Sequence, residues 1–275
     1  MRGDGGSSSS DGPSLANIAG SLPGRFGGRV RHFARVDSTN ERARELGRAG
    51  EPDGAVVLAD EQTAGRGRQR RSWASPAGQG VYVSVLLRPP FAVAEAGPAV
   101  QLAAGIAVAE ALAGILPSPP LLRWPNDCYA GERKIAGVLV EAETTGGGGF
   151  DFLVCGIGIN VNQRAGDFPE ALRDRATSIR LQVGHEVSRR EALAAFLAAF
   201  DIWEGVWRRH GLGPIRERWL ELSPETAGGE VSVQTASGTL EGTADGLSDD
   251  GRLRVRAAGS LHEIAVGEVV RLRPA

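Results

Sequence analysis

Two apolar runs decide the fold: Lys134-Ile135-Ala136-Gly137-Val138-Leu139-Val140-Glu141-Ala142-Glu143 and Phe152-Leu153-Val154-Cys155-Gly156-Ile157-Gly158-Ile159-Asn160-Val161. Both are rich in valine, isoleucine and leucine, which fit a pleated, buried surface. The connection between them, Thr144 to Gly149, is short and rich in glycine. Because antiparallel neighbours can be joined by a short connection, the two runs are predicted to pair as antiparallel strands.

Outward from this pair, strands and helices are partly segregated along the chain, which predicts an α+β domain on a mixed or antiparallel sheet. Asp37-Ser38-Thr39-Asn40 supplies capping side chains for the first helix, and Gly47 or Gly50 is expected to end it. The helix 98–116 is apolar nearly all round, which predicts burial. The other predicted strands are residues 29–33, 55–59, 80–87 and 121–124, and the other predicted helices are residues 41–46, 188–211 and 214–222.

Composition divides the chain into three parts. Residues 1–28 are rich in Gly and Ser and have too few apolar residues to fold alone, so a disordered tail is expected. Residues 29–226 form the predicted α+β domain. In residues 227–275, short alternating segments such as Val231-Ser232-Val233 and Leu253-Arg254-Val255 lie between turn clusters. Short strands at this spacing, without a helical pattern, predict a small β-barrel.

The bulk composition is that of a globular protein. The 275 residues are 41% hydrophobic and 23% charged with a formal net charge of -2, which gives no global reason to expect nucleic-acid binding. No apolar run reaches the ~20 residues that span a bilayer, and the N-terminus lacks the apolar core of a signal peptide, so a cytoplasmic protein is expected. Cys128 and Cys155 have no metal-like spacing and are interpreted as reduced structural thiols.

The segment Ala64–Trp73 carries four arginines, two glycines and a tryptophan. Glycine lets the backbone approach a ligand closely, arginine supplies fixed positive charge, and tryptophan offers a flat apolar wall. This combination suits an anionic ligand with a planar or apolar part, such as a nucleotide or an acyl-adenylate. A solvated basic loop is the alternative interpretation of the same residues.

Three further segments are candidates for a site. Trp124-Pro125-Asn126-Asp127 ends a strand with an amide and a carboxylate, although Asn-Asp after proline is also a good turn. Lys134 leads into an apolar strand, so its ammonium can face a pocket or solvent. Gly156-Ile157-Gly158-Ile159-Asn160 lacks the third glycine of a dinucleotide loop and fits a strand with one bare face, which can accept a flat ligand or a neighbouring side chain.

Together and in this order, these segments resemble the biotin protein ligase family. The resemblance covers residues 30 to 273 and rests on Asp37–Asn40, Gly65–Trp73, Trp124–Asp127, Arg133–Gly137 and Gly156–Asn160. It implies a catalytic domain like that of class II aminoacyl-tRNA synthetases, with a mixed, largely antiparallel sheet, followed by an SH3-like barrel. The monofunctional type, without a DNA-binding domain, is expected because the residues before the core are few and mostly polar.

The resemblance implies a role for each matching residue. Lys134 and Arg68 are the implied catalytic residues, with Lys134 bridging the biotin carboxylate and the α-phosphate, and Asp127 is the candidate Mg²⁺ ligand. Arg123 stands where the family commonly has lysine, so its phosphate contact differs in geometry. The implied biotin-binding residues are Ser38, Thr39, Asn40, Gln62, Arg66, Gly67, Arg68 and Lys134, and the implied ATP- or adenylate-binding residues are Arg71, Trp73, Arg123, Asn126, Asp127 and Asn160.

The implied reaction consumes ATP, with Mg²⁺, to form biotinyl-5′-AMP and then biotinylates a lysine of a biotin carboxyl carrier domain of acyl-CoA carboxylases. Lipoate–protein ligase is the nearest alternative; the arginine-rich segment and the C-terminal barrel favour biotin. A repressor is disfavoured because the residues before the core are too few and too polar for a helix-turn-helix, and a non-catalytic binder is disfavoured by Lys134, Asn126 and Asp127. No DNA or membrane partner is expected, the protein is expected to be a monomer or weak homodimer, and the four histidines are assigned to structure or surface.

Overall fold

The computed structural model describes residues 14–16, 18, 22, 24–89, 93–144, 150–235, 238–265 and 267–273. The strands are β1 Val30–Val36, β2 Val56–Gln62, β3 Gly80–Leu87, β4 Leu121–Arg123, β5 Asp127–Ala130, β6 Arg133–Thr144, β7 Phe150–Asn160, β8 Ala227–Thr235, β9 Gly238–Leu247, β10 Leu253–Ala257, β11 Ser260–Ile264 and β12 Glu268–Arg273. The α-helices are α1 Thr39–Arg48, α2 Val93–Ala113, α3 Ile179–Val183, α4 Arg189–His210 and α5 Gly213–Leu222.

Seven strands form the main sheet, in the order β1-β2-β3-β7-β6-β5-β4. Only β1 and β2 run parallel, and every other neighbouring pair is antiparallel. The antiparallel pairing predicted for residues 134–143 and 152–161 is confirmed, with Gly137 opposite Gly158. The connection expected at 144–149 lies outside the described residues, apart from Thr144. The sheet is therefore mixed and largely antiparallel, as the sequence predicts.

Helices cover both faces of this sheet. On one face, α2 packs against β6, α4 and α5, and the main hydrophobic core lies between them. On the other face, α1 packs on β3 and β7 around Ala43, Leu86 and Phe152. One window of α2, Ala96–Ala113, is long and apolar enough to cross a membrane by length and composition, and 72% of it is buried inside the protein. That burial is typical of a core helix and agrees with the burial predicted for this segment.

The start of α1 differs from the expectation in one respect. Ser38 occupies the N-cap position, but its side chain makes no capping hydrogen bond. Instead the Ser38 backbone N–H donates to Asp37 Oδ1 at 2.8 Å. The helix also runs past Gly47, which lies against the ring of Phe152, and Gly50 follows the helix with a positive φ of 88°. The Ser38 hydroxyl is thus not used by the helix end.

Several elements extend beyond the ends predicted from the sequence. Strand β2 extends to Gln62, and α2 begins at Val93, before Pro98. Pro98 therefore lies inside the helix, where proline removes one intrahelical hydrogen bond, and this is why the sequence predicts a later start. Strand β5 is not predicted from sequence, since it is short and follows the Pro125 turn. It places Asp127 at the start of a strand and not on a free turn.

Part of the expected N-terminal tail belongs to the core, so the boundary at residue 29 is wrong. Leu15, Ile18, Leu22 and Phe26 are all buried. The ring of Phe26 stacks on Phe200 of α4 with centroids 5.6 Å apart. These residues recur at spacings of three and four, as on one face of a helix, but the surrounding glycines, serines and prolines hide the pattern. Residues 1–13 of the expected tail lie outside the described residues.

The C-terminal strands form a five-stranded antiparallel sheet, in the order β11-β10-β9-β8-β12. The sequence predicts parts of β8, β10 and β12 but misses β9 and β11, because β9 is rich in glycine and polar residues. This sheet contacts the main domain where Trp124 Nε1 donates to the carbonyl of Gly251 at 3.2 Å. Its description as an SH3-like barrel stays a prediction.

Candidate functional site

A cavity of about 390 Å³ opens between the start of α1, the segment after β2 and strands β5 to β7. All of the predicted site residues except Arg123 line it. Those that do are Ser38, Thr39, Asn40, Gln62, Arg66, Gly67, Arg68, Arg71, Trp73, Asn126, Asp127, Lys134 and Asn160. Residues from five separate sequence segments therefore meet in one place.

One wall of the cavity is a polar pocket, formed by Ser38, Thr39, Asn40, Gln62 and Ser84. Gln62 Oε1 accepts hydrogen bonds from the backbone N–H of Thr39 at 2.9 Å and from its hydroxyl at 3.1 Å. The Ser84 hydroxyl is 2.8 Å from Thr39 Oγ1 and 2.6 Å from Asn40 Oδ1. Thr39, Asn40 and Ser84 are buried and Gln62 is half-buried, so these four hydrogen-bonded side chains hold one another in fixed orientations.

Asn40 is fixed further by strands β6 and β7. Its amide Nδ2 donates to Glu141 Oε2 at 2.7 Å. A Cβ atom added at Gly156 would lie 2.0 Å from Asn40 Oδ1, so only glycine leaves room for this amide. The bare face of β7 inferred from the alternating glycines is thus occupied at Gly156 by Asn40.

The arginine loop, Ala64–Trp73, folds back on itself at the cavity mouth. The Trp73 N–H donates to the Gly65 carbonyl at 2.9 Å, and the Gly67 N–H donates to the Arg71 carbonyl at 2.8 Å. At its tip, Gln69 and Arg70 have positive φ angles of 54° and 59°. Non-glycine residues store strain in this region of backbone space.

The arginines of this loop have partners on several elements. Arg66 pairs with Glu41 of α1 at 2.6 Å. Arg68 donates to Asn126 Oδ1 at 3.4 Å and to the carbonyl of Gly267, in the C-terminal sheet, at 3.1 Å. The loop therefore links α1, the segment before β5 and the C-terminal sheet across the cavity.

Trp73 covers Gly137 of β6 and Gly158 of β7. A Cβ at Gly158 would lie 2.5 Å from the Trp73 ring, and one at Gly137 would lie 3.3 Å from it. The indole Nε1 is buried and has no hydrogen-bond partner among the residues that the structure describes. The paired glycines Gly137 and Gly158 thus create the flat surface that this indole occupies.

Lys134 lines the cavity and is the only lysine in the chain. Its Nζ is 2.6 Å from Asp127 Oδ1 and 5.4 Å from the centroid of the Trp73 ring. Both the carboxylate and the aromatic face stabilise the ammonium. The Lys134 ammonium is therefore held in the cavity by Asp127 and the Trp73 ring.

The metal-ligating capacity of the site is small. Asp127 is the one carboxylate among the residues that line the cavity, and no group of three or more His, Cys, Asp or Glu side chains that could hold a metal occurs in the described ranges. Mg²⁺ is typically bound by one or two carboxylates together with substrate phosphates. The residues present therefore fit Mg²⁺ carried with a nucleotide, to which Asp127 would add one ligand.

Two predicted asparagines also support the walls. Asn126 Nδ2 donates to the carbonyl of Val138 at 2.8 Å, and Asn160 Nδ2 donates to the carbonyl of Thr177 at 2.9 Å. Asn160 Oδ1 accepts from Gln163 Nε2 at 3.3 Å. These bonds anchor neighbouring backbone segments.

The cysteines and histidines lie away from the cavity. Cys128 and Cys155 are free and buried, and burial raises the pKa of both thiols, which keeps them protonated. The structural interpretation of both is confirmed. His32 contacts Asp60 at 2.9 Å, and His185 and His262 are exposed.

Known proteins resemble this chain in both sequence and fold. A model of the Biotin/lipoate A/B protein ligase family matches residues 32–160, and one of the Biotin protein ligase C terminal domain matches residues 226–272. The biotin–[acetyl-CoA-carboxylase] ligase of Paracoccus denitrificans is 33% identical, over 86% of this chain and 98% of that protein. The bifunctional ligase/repressor BirA of Bacillus spizizenii is 34% identical, over 85% of this chain and 71% of that protein.

The chain belongs to the biotin protein ligase family. Among solved structures, the biotin protein ligase of Aquifex aeolicus in complex with biotin and ATP has a TM-score of 0.75 and 34% identity, covering 90% of this chain and all of the other. The family resemblance and the fold class predicted from the sequence are confirmed.

The structure separates one predicted residue, Arg123, from the rest of the site. The Arg123 guanidinium lies 3.9 Å from the ring centroid of Tyr129 and pairs with Glu132 at 3.3 Å and with Glu225 at 4.0 Å. Arg123 lies on edge strand β4, opposite Asp127, so it is next to the residues that line the cavity without lining it itself.

Sequence reasoning missed the residues that close the far side of the cavity. They come from β5 and from the connection between β7 and α3, and they are Tyr129, Phe168, Leu172, Arg175 and Ala176. Burial and the charge of Asp127 raise the pKa of Tyr129, while Arg123 and Arg175 act in the opposite direction. The connection carries no glycine-rich or motif-like spacing, so its sequence gave no signal of a site.

Proposed function

We propose that this chain activates biotin with ATP and transfers the biotinyl group to a lysine of a carrier protein. The observation that carries the proposal is the convergence of the polar pocket, Lys134 and the arginine loop on one cavity. Family membership and the names of the relatives, which are biotin ligases, favour biotin over lipoate as the acid.

The polar pocket suits the ring of biotin. A cyclic urea carries N–H donors and a carbonyl acceptor, and burial of such groups requires matched partners. Ser38, Thr39, Asn40 and Gln62 offer both kinds of group. We assign them to biotin, together with Arg66, Gly67 and Arg68 at the cavity mouth.

The opposite end suits the nucleotide. We assign Lys134 to the carboxylate of biotin and the α-phosphate, because its ammonium contacts Asp127 and lines the same cavity as the polar pocket. Arg71, Trp73, Asn126 and Asn160 are assigned to ATP or the adenylate, and Asp127 to the Mg²⁺ that accompanies ATP. Arg123 is retained as a candidate that must move to reach phosphate.

The reaction has two steps. First, a carboxylate oxygen of biotin attacks the α-phosphorus, the bond to the β-phosphate oxygen breaks, and pyrophosphate leaves. Second, the amine of the acceptor lysine attacks the activated carbonyl carbon, the bond to the AMP oxygen breaks, and AMP leaves as the nitrogen loses a proton. Lys134 and the loop arginines face the oxygens on which charge develops in the first step, where such groups lower the barrier most.

The partner class follows from this activity. We propose biotin carboxyl carrier domains of acyl-CoA carboxylases as acceptors, with the reaction in the cytoplasm. The division into residues 1–28, a ligase domain at 29–226 and an SH3-like barrel at 227–275 stays a proposal, with the buried Leu15, Ile18, Leu22 and Phe26 now assigned to the core of the ligase domain. The expectations of a monomer or weak homodimer and of no DNA or membrane partner stay predictions.

The test is biotinylation of a purified carrier domain, followed by intact mass measurement. With ATP, Mg²⁺ and biotin, the carrier is expected to gain one biotinyl group on one lysine. Lipoate in place of biotin is the matched control and is expected to give little product. Modification with lipoate but not with biotin would contradict the proposal, and so would the absence of biotin-dependent exchange between ATP and pyrophosphate.

A further inference from the structure

Arg175 brings a cation to the cavity from a segment outside every predicted motif. Two backbone hydrogen bonds fix this segment to Lys134. The Lys134 N–H donates to the Arg175 carbonyl at 2.9 Å, and the Thr177 N–H donates to the Lys134 carbonyl at 2.9 Å. A parallel bridge pairs Lys134 with Ala176. The backbone of Arg175 is therefore held in a fixed relation to the central lysine of the site.

The Arg175 side chain differs from the other cations of the cavity, which are paired with protein groups. Lys134 is paired with Asp127, and Arg66 with Glu41, each at 2.6 Å. Within the part of the chain that the structure describes, no hydrogen bond or ion pair engages the Arg175 guanidinium, although the residue lines the cavity. An arginine at a cavity mouth without a protein partner can meet an anionic ligand without first breaking an ion pair.

The Arg175 guanidinium lies near Tyr129, at the end of the cavity that contains Asp127. The Asp127 carboxylate and the Arg175 guanidinium both act on the Tyr129 hydroxyl: Asp127 raises the pKa of Tyr129 and Arg175 acts to lower it. Tyr129, Asp127 and Arg175 all line the same cavity. This is the end assigned above to the nucleotide and its Mg²⁺.

We propose that Arg175 binds the phosphate chain of ATP at its pyrophosphate end. The inference rests on the proposed function, since it requires ATP in this cavity. Negative charge grows on the leaving pyrophosphate as its bond to the α-phosphorus breaks, and Lys134 is assigned to the other side of that bond. A guanidinium matches two phosphate oxygens at once, which makes Arg175 suited to hold the leaving group.

The test compares Arg175→Ala, Arg175→Lys and the parent protein in biotin-dependent exchange between ATP and pyrophosphate. Arg175→Ala is expected to raise the KM values for ATP and for pyrophosphate about tenfold or more, the scale of a lost charged hydrogen bond. The KM for biotin is expected to stay unchanged. Arg175→Lys should recover part of the loss because it keeps the charge.

Arg164→Ala is the matched control, since Arg164 is an exposed arginine in the same connection that does not line the cavity. It should leave all three constants unchanged. Unchanged ATP and pyrophosphate constants in Arg175→Ala, or a rise in the KM for biotin instead, would overturn the inference. Calorimetry with pyrophosphate alone separates this inference from the proposed function. Equal pyrophosphate affinities of the parent and Arg175→Ala would refute the role of Arg175. The absence of exchange in the parent protein would instead refute the ligase activity.

Discussion

The polar pocket and the arginine loop meet at one cavity, but they are built in opposite ways. In the pocket, Thr39, Asn40 and Ser84 are buried and hydrogen-bonded to one another. In the loop, the Arg66 side chain is 38% exposed, and Gln69 and Arg70 have positive φ angles. One region is fixed before a ligand arrives, whereas the other is held by exposed contacts that a ligand can replace.

This difference assigns a separate task to each region. A preformed pocket selects its ligand because a wrong ligand leaves buried polar groups without partners. An adjustable loop can close over a reactive intermediate and exclude water from it. We therefore expect changes in the pocket to affect stability and biotin affinity, and changes in the loop to affect retention of the adenylate.

The largest effect is expected at Lys134, where the two regions meet. Lys134→Ala should slow biotin-dependent exchange between ATP and pyrophosphate ~100-fold or more, the scale of a lost transition-state donor. The thermal midpoint checks that the variant is folded. An exchange rate equal to that of the parent would remove Lys134 from the chemistry.

The next effect tests the loop alone. Arg68→Gly should shorten the lifetime of bound biotinyl-5′-AMP by about tenfold or more, because a charged hydrogen-bond donor is lost. The KM for biotin should change far less. The rate of adenylate release from a preformed complex gives the answer, and equal lifetimes in variant and parent would show that this arginine does not retain the intermediate.

A third change tests the pocket alone. Gly156→Ala places a methyl group 2.0 Å from Asn40 Oδ1, and such overpacking costs about 1–3 kcal/mol of unfolding free energy. Biotin affinity should fall with it, whereas adenylate lifetime in the remaining complex should not. Gly166→Ala is the control, since nothing lies within 4 Å of its added Cβ. Equal stability and equal biotin affinity in both variants would mean that the pocket adapts.

The smallest functional effect is expected outside both regions, at Asp60. Burial acts to raise its pKa, but hydrogen bonds from Ser14, the Leu15 N–H and Arg189 outweigh it, so the folded pKa is lowered. This stabilisation is present above the unfolded pKa of about 4 and is lost as pH falls through the folded value.

Asp60→Asn should therefore lower the unfolding free energy by about 1–3 kcal/mol near neutral pH, since buried Arg189 loses its charged partner. The deficit should shrink as pH falls below about 4, and exchange activity should persist. Denaturant titrations across this range make the measurement. A deficit that is independent of pH would contradict the assigned cause.

The sequence predicts the parts whose chemistry is local. The periodicity of β3, β6 and β7 and the Gly-Arg spacing of the loop depend on neighbouring residues, and both are found where expected. The burial of Leu15 and Phe26 and the approach of Arg175 to Lys134 depend on contacts between distant segments. Such contacts leave no motif in a single sequence, and the position of Arg123 beside the cavity, outside its lining, is missed for the same reason.

The central claim is that biotin and ATP occupy the cavity that contains Lys134. Because Lys134 is the only lysine, an amine-directed reagent can modify only this side chain and the N-terminal amine, and intact mass with peptide mapping separates the two. Saturating biotin with ATP is expected to protect Lys134 while the N-terminal amine reacts as before. Modification of Lys134 at the same rate with and without both substrates would contradict the account.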